Sequence, residues 1–338
     1  MPVTDLFVAA SHLDPLAVID GIPPSVRREI APAPAPRRDG RDLVLELGPW
    51  VPRSPARHLV PALALLAART PSVRFELSGR RAGAWSPWIA TATLGVQSFA
   101  EMPAGVHGFS ADIDEVCAAP SVDAVRLRVR VASPDAILEA PWLVTMSAWD
   151  GTLGDLSAPC SAVSLEVPAR TQMTEAEDIR LRICSPTSVA MALEHLGCAV
   201  PTPVLAAAVF HAPTDRYGVW PAAIRAAATH GVPGYLLRFS DWESVAWCLG
   251  RGLPIVASVR YTAGELSGAA IPETTGHLIV ITGLEGNEVL VNDPAAPTSA
   301  EVRRRYRRDE LSRVWLERTG IGYVFLHPIA PSEGSRGG

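Results

Sequence analysis

From residue 125 to 131 the chain reads Val-Arg-Leu-Arg-Val-Arg-Val, apolar at every second position and arginine between. A period of two is that of a half-buried strand with one wet face. Residues 75–77, 88–94 and 142–146 add strand candidates divided by Gly- and Pro-containing turns. The stretch 41–160 is therefore expected to be an all-β, sandwich-like accessory domain. Its longest apolar run, 59–68, is about half the roughly 20 residues a membrane helix needs. It reads as a core helix, and no membrane span is expected. Ahead of it, residues 1–40 carry a weak helical pattern and end in Ala-Pro-Ala-Pro-Ala-Pro-Arg-Arg-Asp-Gly. The prolines favour an extended, poorly packed arm or linker.

Beyond a stretch of glycine, serine and proline at 151–168 the pattern changes. Helical segments are expected at 186–196 and 221–230, each closed by a glycine, and at 241–249, with a strand at 235–239. Short β-branched runs follow at 253–260, 277–282, 288–292 and 322–326, with one more helix at 308–315. Helices followed by strands make an α+β domain at 168–328. Residues 329–338, rich in glycine and serine, are expected to be a disordered tail.

The 338 residues, 48% of them apolar, suffice for two domains. A net charge of −5 argues against a general affinity for nucleic acid or acidic membranes. The run Arg303-Arg304-Arg305-Tyr306-Arg307-Arg308, beside acidic neighbours, reads as a solvated surface. The first residues lack the basic start, apolar stretch and cleavage site of a secretory signal, which leaves the cytoplasm as the expected compartment. Trp85 and Trp88 suggest either a ligand platform or core packing, and burial of large aromatics favours the core. Five cysteines without CxxC spacing suggest neither a disulfide framework nor a zinc site.

One of those cysteines stands apart. In Arg182-Ile183-Cys184-Ser185-Pro186-Thr187-Ser188, Pro186 suits a first helical turn, which sets Cys184 at a helix N-terminus. Unpaired N–H groups and the positive end of the helix dipole favour thiolate there, and the same N–H groups would hold an oxyanion. The plain alternative is an inert buried thiol, the reading given to Cys117, Cys160, Cys198 and Cys248. A base decides between the two. His195 is on the same helix but roughly 16 Å from Cys184; His230 ends a helix; His211 lies in a loop and stays open.

His277 opens the strand at 277–282. If the next hairpin turns through a three-residue loop at 284–286, Gly283 pairs with Asn287 and His277 stands opposite Asp293. That places a carboxylate against an imidazole, the arrangement of a nucleophile, base and orienting acid. A two-residue loop would turn Asp293 to the other face and leave Asn292 as the candidate.

These motifs resemble the double-glycine (bacteriocin-leader) peptidase-like branch of the papain fold, the thirty-ninth family of cysteine peptidases. The resemblance covers about residues 168–328 and rests on Gln172-Met173, Cys184-Ser185-Pro186-Thr187-Ser188, Gly276-His277 and Asn292-Asp293-Pro294. It implies a papain-like hydrolase with Cys184 as nucleophile, His277 as base and then acid, and Asp293 as orienting residue. Gln172 would share the oxyanion with the Cys184 N–H. It further implies a peptide or peptide-like substrate, no metal and no organic cofactor, with Tyr217, Gly218, Trp220 and Gly276 beside the cleft. For Trp220 a second reading is that it staples its helix to the core. Ser185 stands where the family usually has glycine.

Overall fold

The computed structural model describes residues 3–132 and 140–328, so the expected tail at 329–338 lies outside the described residues. Two sheets occupy the first region. One runs in the order Arg27–Ala31, Thr4–Ser11, Trp142–Trp149, Ala56–Leu65, Val116–Val122, Phe109–Ala111, Gly105–Val106. The other runs Arg37–Asp39, Asp42–Trp50, Ala124–Ala132, Val73–Arg81, Ala84–Trp85, with Ile89–Ala90 on the flank of Val73–Arg81.

The alternation at 125–131 does what its period predicts. Val125, Leu127, Val129 and Val131 are buried. Arg130 on the opposite face bonds Glu76 at 2.6 Å, Asp39 at 3.0 Å and Asp42 at 3.3 Å. Trp85 and Trp88, expected in the core, are instead half-buried beside these arginines, with Arg126 over Trp85 at 4.0 Å and Arg128 over Trp88 at 3.7 Å. Stacked guanidinium groups cover rings that the core does not take.

Two further expectations fail here. Residues 1–40 are not an arm: Thr4–Ser11 pairs along its whole length with Trp142–Trp149, and Phe7 stacks on Trp50 at 5.2 Å. Leu6, Phe7 and Val8 are buried, each gaining roughly 1.5–3 kcal/mol, far more than a free segment would forgo. The run is apolar on both faces, so neither a period of two nor one of 3.6 stands out in eight residues. Most of the apolar run at 59–68 likewise lies in a strand, Ala56–Leu65, and not in a helix. Pro61 would break a helix interior. The strand is apolar on both faces because its outer face carries the helix Trp220–Ala228 and the strand Gly234–Arg238 of the second region.

That second region mixes helices with a sheet in the order Gly234–Arg238, Ile321–Phe325, Ile255–Tyr261, Thr274–Glu285, Glu288–Asn292, Arg303–Arg307. Its helices are Cys184–His195, Thr202–Val209, Trp220–Ala228, Trp242–Gly250 and the short Arg308–Leu311, with Trp242–Gly250 capped by the Asp241 side chain on the Ser244 N–H. The arginine run forms the edge strand Arg303–Arg307, with Arg305 bonding Glu285 and Glu288, both at 2.7 Å. Buried apolar residues of both regions make one contiguous core. Across the seam Arg238 N–H donates to Ser147 Oγ at 3.0 Å and Tyr235 Oη to the Gly21 carbonyl at 2.8 Å. No helix among the described residues is long and apolar enough to cross a membrane.

Candidate active site

Cys184 is the first residue of the helix Cys184–His195, with Pro186 in the first turn. Residues 185–193 are buried, so the helix enters the core along its length and holds its N-terminus fixed. Ser188 Oγ donates to the Leu278 carbonyl at 3.0 Å, tying the helix to the residue after His277. Cys184 itself is half-buried and opens on a cleft.

His277, 3% exposed, directs Nε2 to Asp293 Oδ1 at 2.8 Å. That leaves Nδ1 for Cys184, with which the ring is hydrogen-bonded. Asp293 is fully buried and its oxygens are well served: Oδ1 also accepts the Ala295 N–H at 3.0 Å, and Oδ2 accepts Tyr306 Oη at 2.8 Å. Burial pushes the Cys184 thiol up, but the hydrogen bond and charge of His277, with the Leu278 and Ser185 N–H groups, outweigh it and lower the pKa below its ordinary value. Burial also disfavours a charged His277, but the Asp293 carboxylate and Cys184 raise it to about 10. Asp293 is lowered: the cost of its burial is overcome by His277 and by the bonds from Tyr306 and Ala295. At neutral pH these directions favour a thiolate beside an imidazolium. By contrast, burial pushes the Cys248 thiol up to about 12, and it also raises those of Cys160 and Cys198.

The hairpin reaches this arrangement by another route than a three-residue loop. Glu285 pairs with Glu288 across the two-residue turn Gly286-Asn287, with Gly286 at φ 60°. Alone, that register would turn Asp293 away from His277. A bulge follows: Gly283 pairs with Leu290, but Ile281 pairs with Val291, and Thr282 is the extra residue. The bulge changes the parity back, and Val280 pairs with Asn292. Continued one residue, the register sets Asp293 across from Ile279, on the His277 face and diagonal to it. Asn292 points the other way, its Nδ2 donating to the Val167 and Pro168 carbonyls, each at 3.2 Å.

Two of the other histidines in this region are occupied elsewhere. His211 bonds Thr214 Oγ1 at 2.7 Å and the Thr93 carbonyl at 3.0 Å. His195 bonds the carbonyls of Glu166 and Gly252.

A cleft of about 540 Å³ extends from Cys184, and Tyr217, Gly218, Trp220 and Gly276 all line it. Trp220 also begins its helix with its side chain 7% exposed, so it serves both the wall and the core. Gln172 does not line the cleft. It is 4% exposed, donates Nε2 to the Arg180 carbonyl at 2.7 Å and leaves Oε1 without a partner. Its backbone N–H bonds the Pro294 carbonyl at 2.9 Å, beside Asp293. Three lining residues, Asp112, Ile113 and Asp114, come from the first region. Asp114 accepts the Trp220 N–H at 2.9 Å, and burial pushes its carboxyl up to about 7. With Asp215, Arg182, Arg216 and Arg260 also present, the walls carry both signs of charge. The sequence patterns singled out neither Tyr306 nor the segment 112–114. An alternation of buried Tyr306 with exposed arginines was the signal for the first.

Comparison with known proteins adds a family. Residues 164–323 match the model of the Peptidase C39-like family. A solved structure of a C39-like peptidase candidate from Bacillus anthracis is similar with a TM-score of 0.38 and 15% identity, covering 50% of this chain and 100% of that one. No curated protein matches the chain in sequence.

Proposed function

From the match of residues 164–323 to the C39-like peptidase family, we propose that the protein is a cysteine peptidase or amidase acting on a peptide-like substrate. The observation that carries the reading is Cys184 at a helix N-terminus in the cleft, hydrogen-bonded to a His277 that Asp293 fixes. The Cys184 thiolate attacks the carbonyl carbon, and the carbonyl oxygen takes up the displaced electron pair. The Cys184 backbone N–H, at the helix N-terminus, stabilises that oxyanion, while the Gln172 amide is engaged by the Arg180 carbonyl outside the cleft lining. The His277 imidazolium gives its proton to the leaving amine as the C–N bond breaks, leaving a thioester. Neutral His277 then takes a proton from water as hydroxide adds, and collapse of the adduct breaks the C–S bond, releasing the acid and restoring the Cys184 thiolate beside the His277 imidazolium. Asp293 holds the ring and its charge throughout. The first region, read as a β-sandwich, supplies one wall of the cleft through residues 112–114 and helps to seat the substrate.

The test is labelling with a thiolate-selective electrophile across pH in the parent, Cys184→Ala and His277→Ala proteins. Label should enter Cys184 alone at neutral pH, its rate rising as pH passes a value below that of an ordinary thiol. Turnover, which needs the imidazolium as acid, should fall as pH passes about 10. In His277→Ala only burial and two backbone donors act on the thiol, and labelling at pH 7 should drop by about 10-fold or more. Equal labelling of several cysteines, or no dependence on His277, would sink the proposal. Incorporation of an added amine into product would mark acyl transfer in place of hydrolysis.

A further inference from the structure

A second cluster of reactive side chains lies at the seam of the two regions, on the first sheet. His58 stands directly across from Cys117 on the neighbouring strand, and Glu115, two residues before Cys117, falls on the same face. His58 Nδ1 is 2.7 Å from Glu115 Oε1 and 3.8 Å from Cys117 Sγ, and one ligand atom from each of the three lies within 4.8 Å of the other two. From these positions the geometry points to a divalent transition-metal site of the zinc class, with His58, Glu115 and Cys117 as ligands.

The donor set is what argues for that class of metal. Thiolate and imidazole select a borderline-soft ion over magnesium or calcium, and one carboxylate completes a common three-ligand set. Bonds of about 2.0–2.3 Å around a tetrahedral ion set its ligand atoms a little over 3 Å apart. The sulfur–nitrogen separation already fits, and the nitrogen–oxygen pair needs to open by roughly half an ångström, within the reach of a Glu rotamer. Two of the three ligands are fixed by cross-strand pairing, so little chain entropy remains to be lost on binding. The His58 and Glu115 side chains are 33% and 27% exposed, which leaves a path for the ion and a coordination position for water. On the other side His58 pairs with Trp149, whose ring lies 5.0 Å away and limits the imidazole's freedom to turn. Spacing along the sequence hides the cluster, because the histidine is 57 residues from its nearer partner.

The experiment is a Co²⁺ titration of the full chain carrying Cys184→Ala, which removes the other cysteine–histidine pair and makes the readout independent of peptidase activity. One equivalent should produce a thiolate-to-cobalt charge-transfer band with visible d–d bands, and added Zn²⁺ should bleach both. Adding Cys117→Ser should abolish the charge-transfer band and His58→Ala should abolish binding. Glu115→Gln, isosteric and so tolerated by the fold, should keep the band but require more Co²⁺ to reach it. No band in the folded parent, an undiminished band after Cys117→Ser, or an unchanged titration after Glu115→Gln would overturn the assignment.

Discussion

Tyr306→Phe isolates one bond of the site without emptying the core. The ring stays, fully buried, and only the hydroxyl that donates to Asp293 Oδ2 at 2.8 Å is lost. Asp293 Oδ1 keeps His277 and the Ala295 N–H. A hydrogen bond to a buried charged group is worth about 1.5–3 kcal/mol, and here its loss orphans a carboxylate oxygen with no access to water. The variant should therefore unfold about 2 kcal/mol more easily at pH 7, with the folded pKa of Asp293 raised in step. The sign follows from linkage. A carboxylate whose folded pKa is depressed contributes stability above its unfolded pKa and loses it as pH falls through the folded one. The deficit of the variant should thus be constant near neutrality and shrink in acid, once Asp293 is protonated in both proteins. Urea unfolding at a series of pH values measures it, and a double-mutant cycle with Asp293→Asn assigns it. In the Asp293→Asn background the tyrosine change should cost less than about 1 kcal/mol. An equal cost in both backgrounds would refute the charge-assisted bond and leave only the packing of a phenol.

Other consequences reach further from the site. Glu76 is fully buried and its Oε1 joins Arg74 at 2.7 Å and Arg130 at 2.6 Å. Glu76→Gln leaves the buried Arg74 without its counter-charge and should lower stability by about 3 kcal/mol in urea unfolding. Gly283→Ala would set a Cβ 2.5 Å from the Val163 carbonyl and 2.8 Å from Leu290 Cδ1, with backbone on one side that cannot yield. It should lower the melting temperature and expose the 160–165 segment to limited proteolysis. Gly286→Ala, at φ 60° in open space, should cost only about 1–2 kcal/mol and leave the proteolysis pattern unchanged.

What the sequence made legible follows from how local each cause is. The Cys184 helix was readable because Pro186 and the apolar run after it act within two turns, and the arginine alternation at 125–131 because its period belongs to one strand. The two misread segments are of the other kind. Thr4–Ser11 and Ala56–Leu65 are apolar on both faces because each is covered by distant chain, and such a run has no period to read. The segment 112–114 belongs to the same class, since its place in the cleft depends on how the two regions pack, as the Asp114–Trp220 bond shows.

The meeting of His277 with Asp293 is the instructive case, since counting residues through the hairpin led to the right face for the wrong reason. A three-residue loop and a two-residue loop with one bulge give strand registers of the same parity, and parity alone decides which side chains share a face. They differ in what sits directly opposite: His277 faces Asp293 squarely in the first and diagonally in the second. The diagonal arrangement carries Asp293 past the last paired residue, Asn292, to where the chain turns through Pro294. There its carboxylate meets Tyr306, which a squarely paired strand residue had no evident reason to reach, and the Ala295 N–H. Thr282 thus acts on the site from a distance. Being the bulge, it fixes which of Asn292 and Asp293 turns toward the imidazole, although neither sequence spacing nor burial marks it as anything but one more strand threonine.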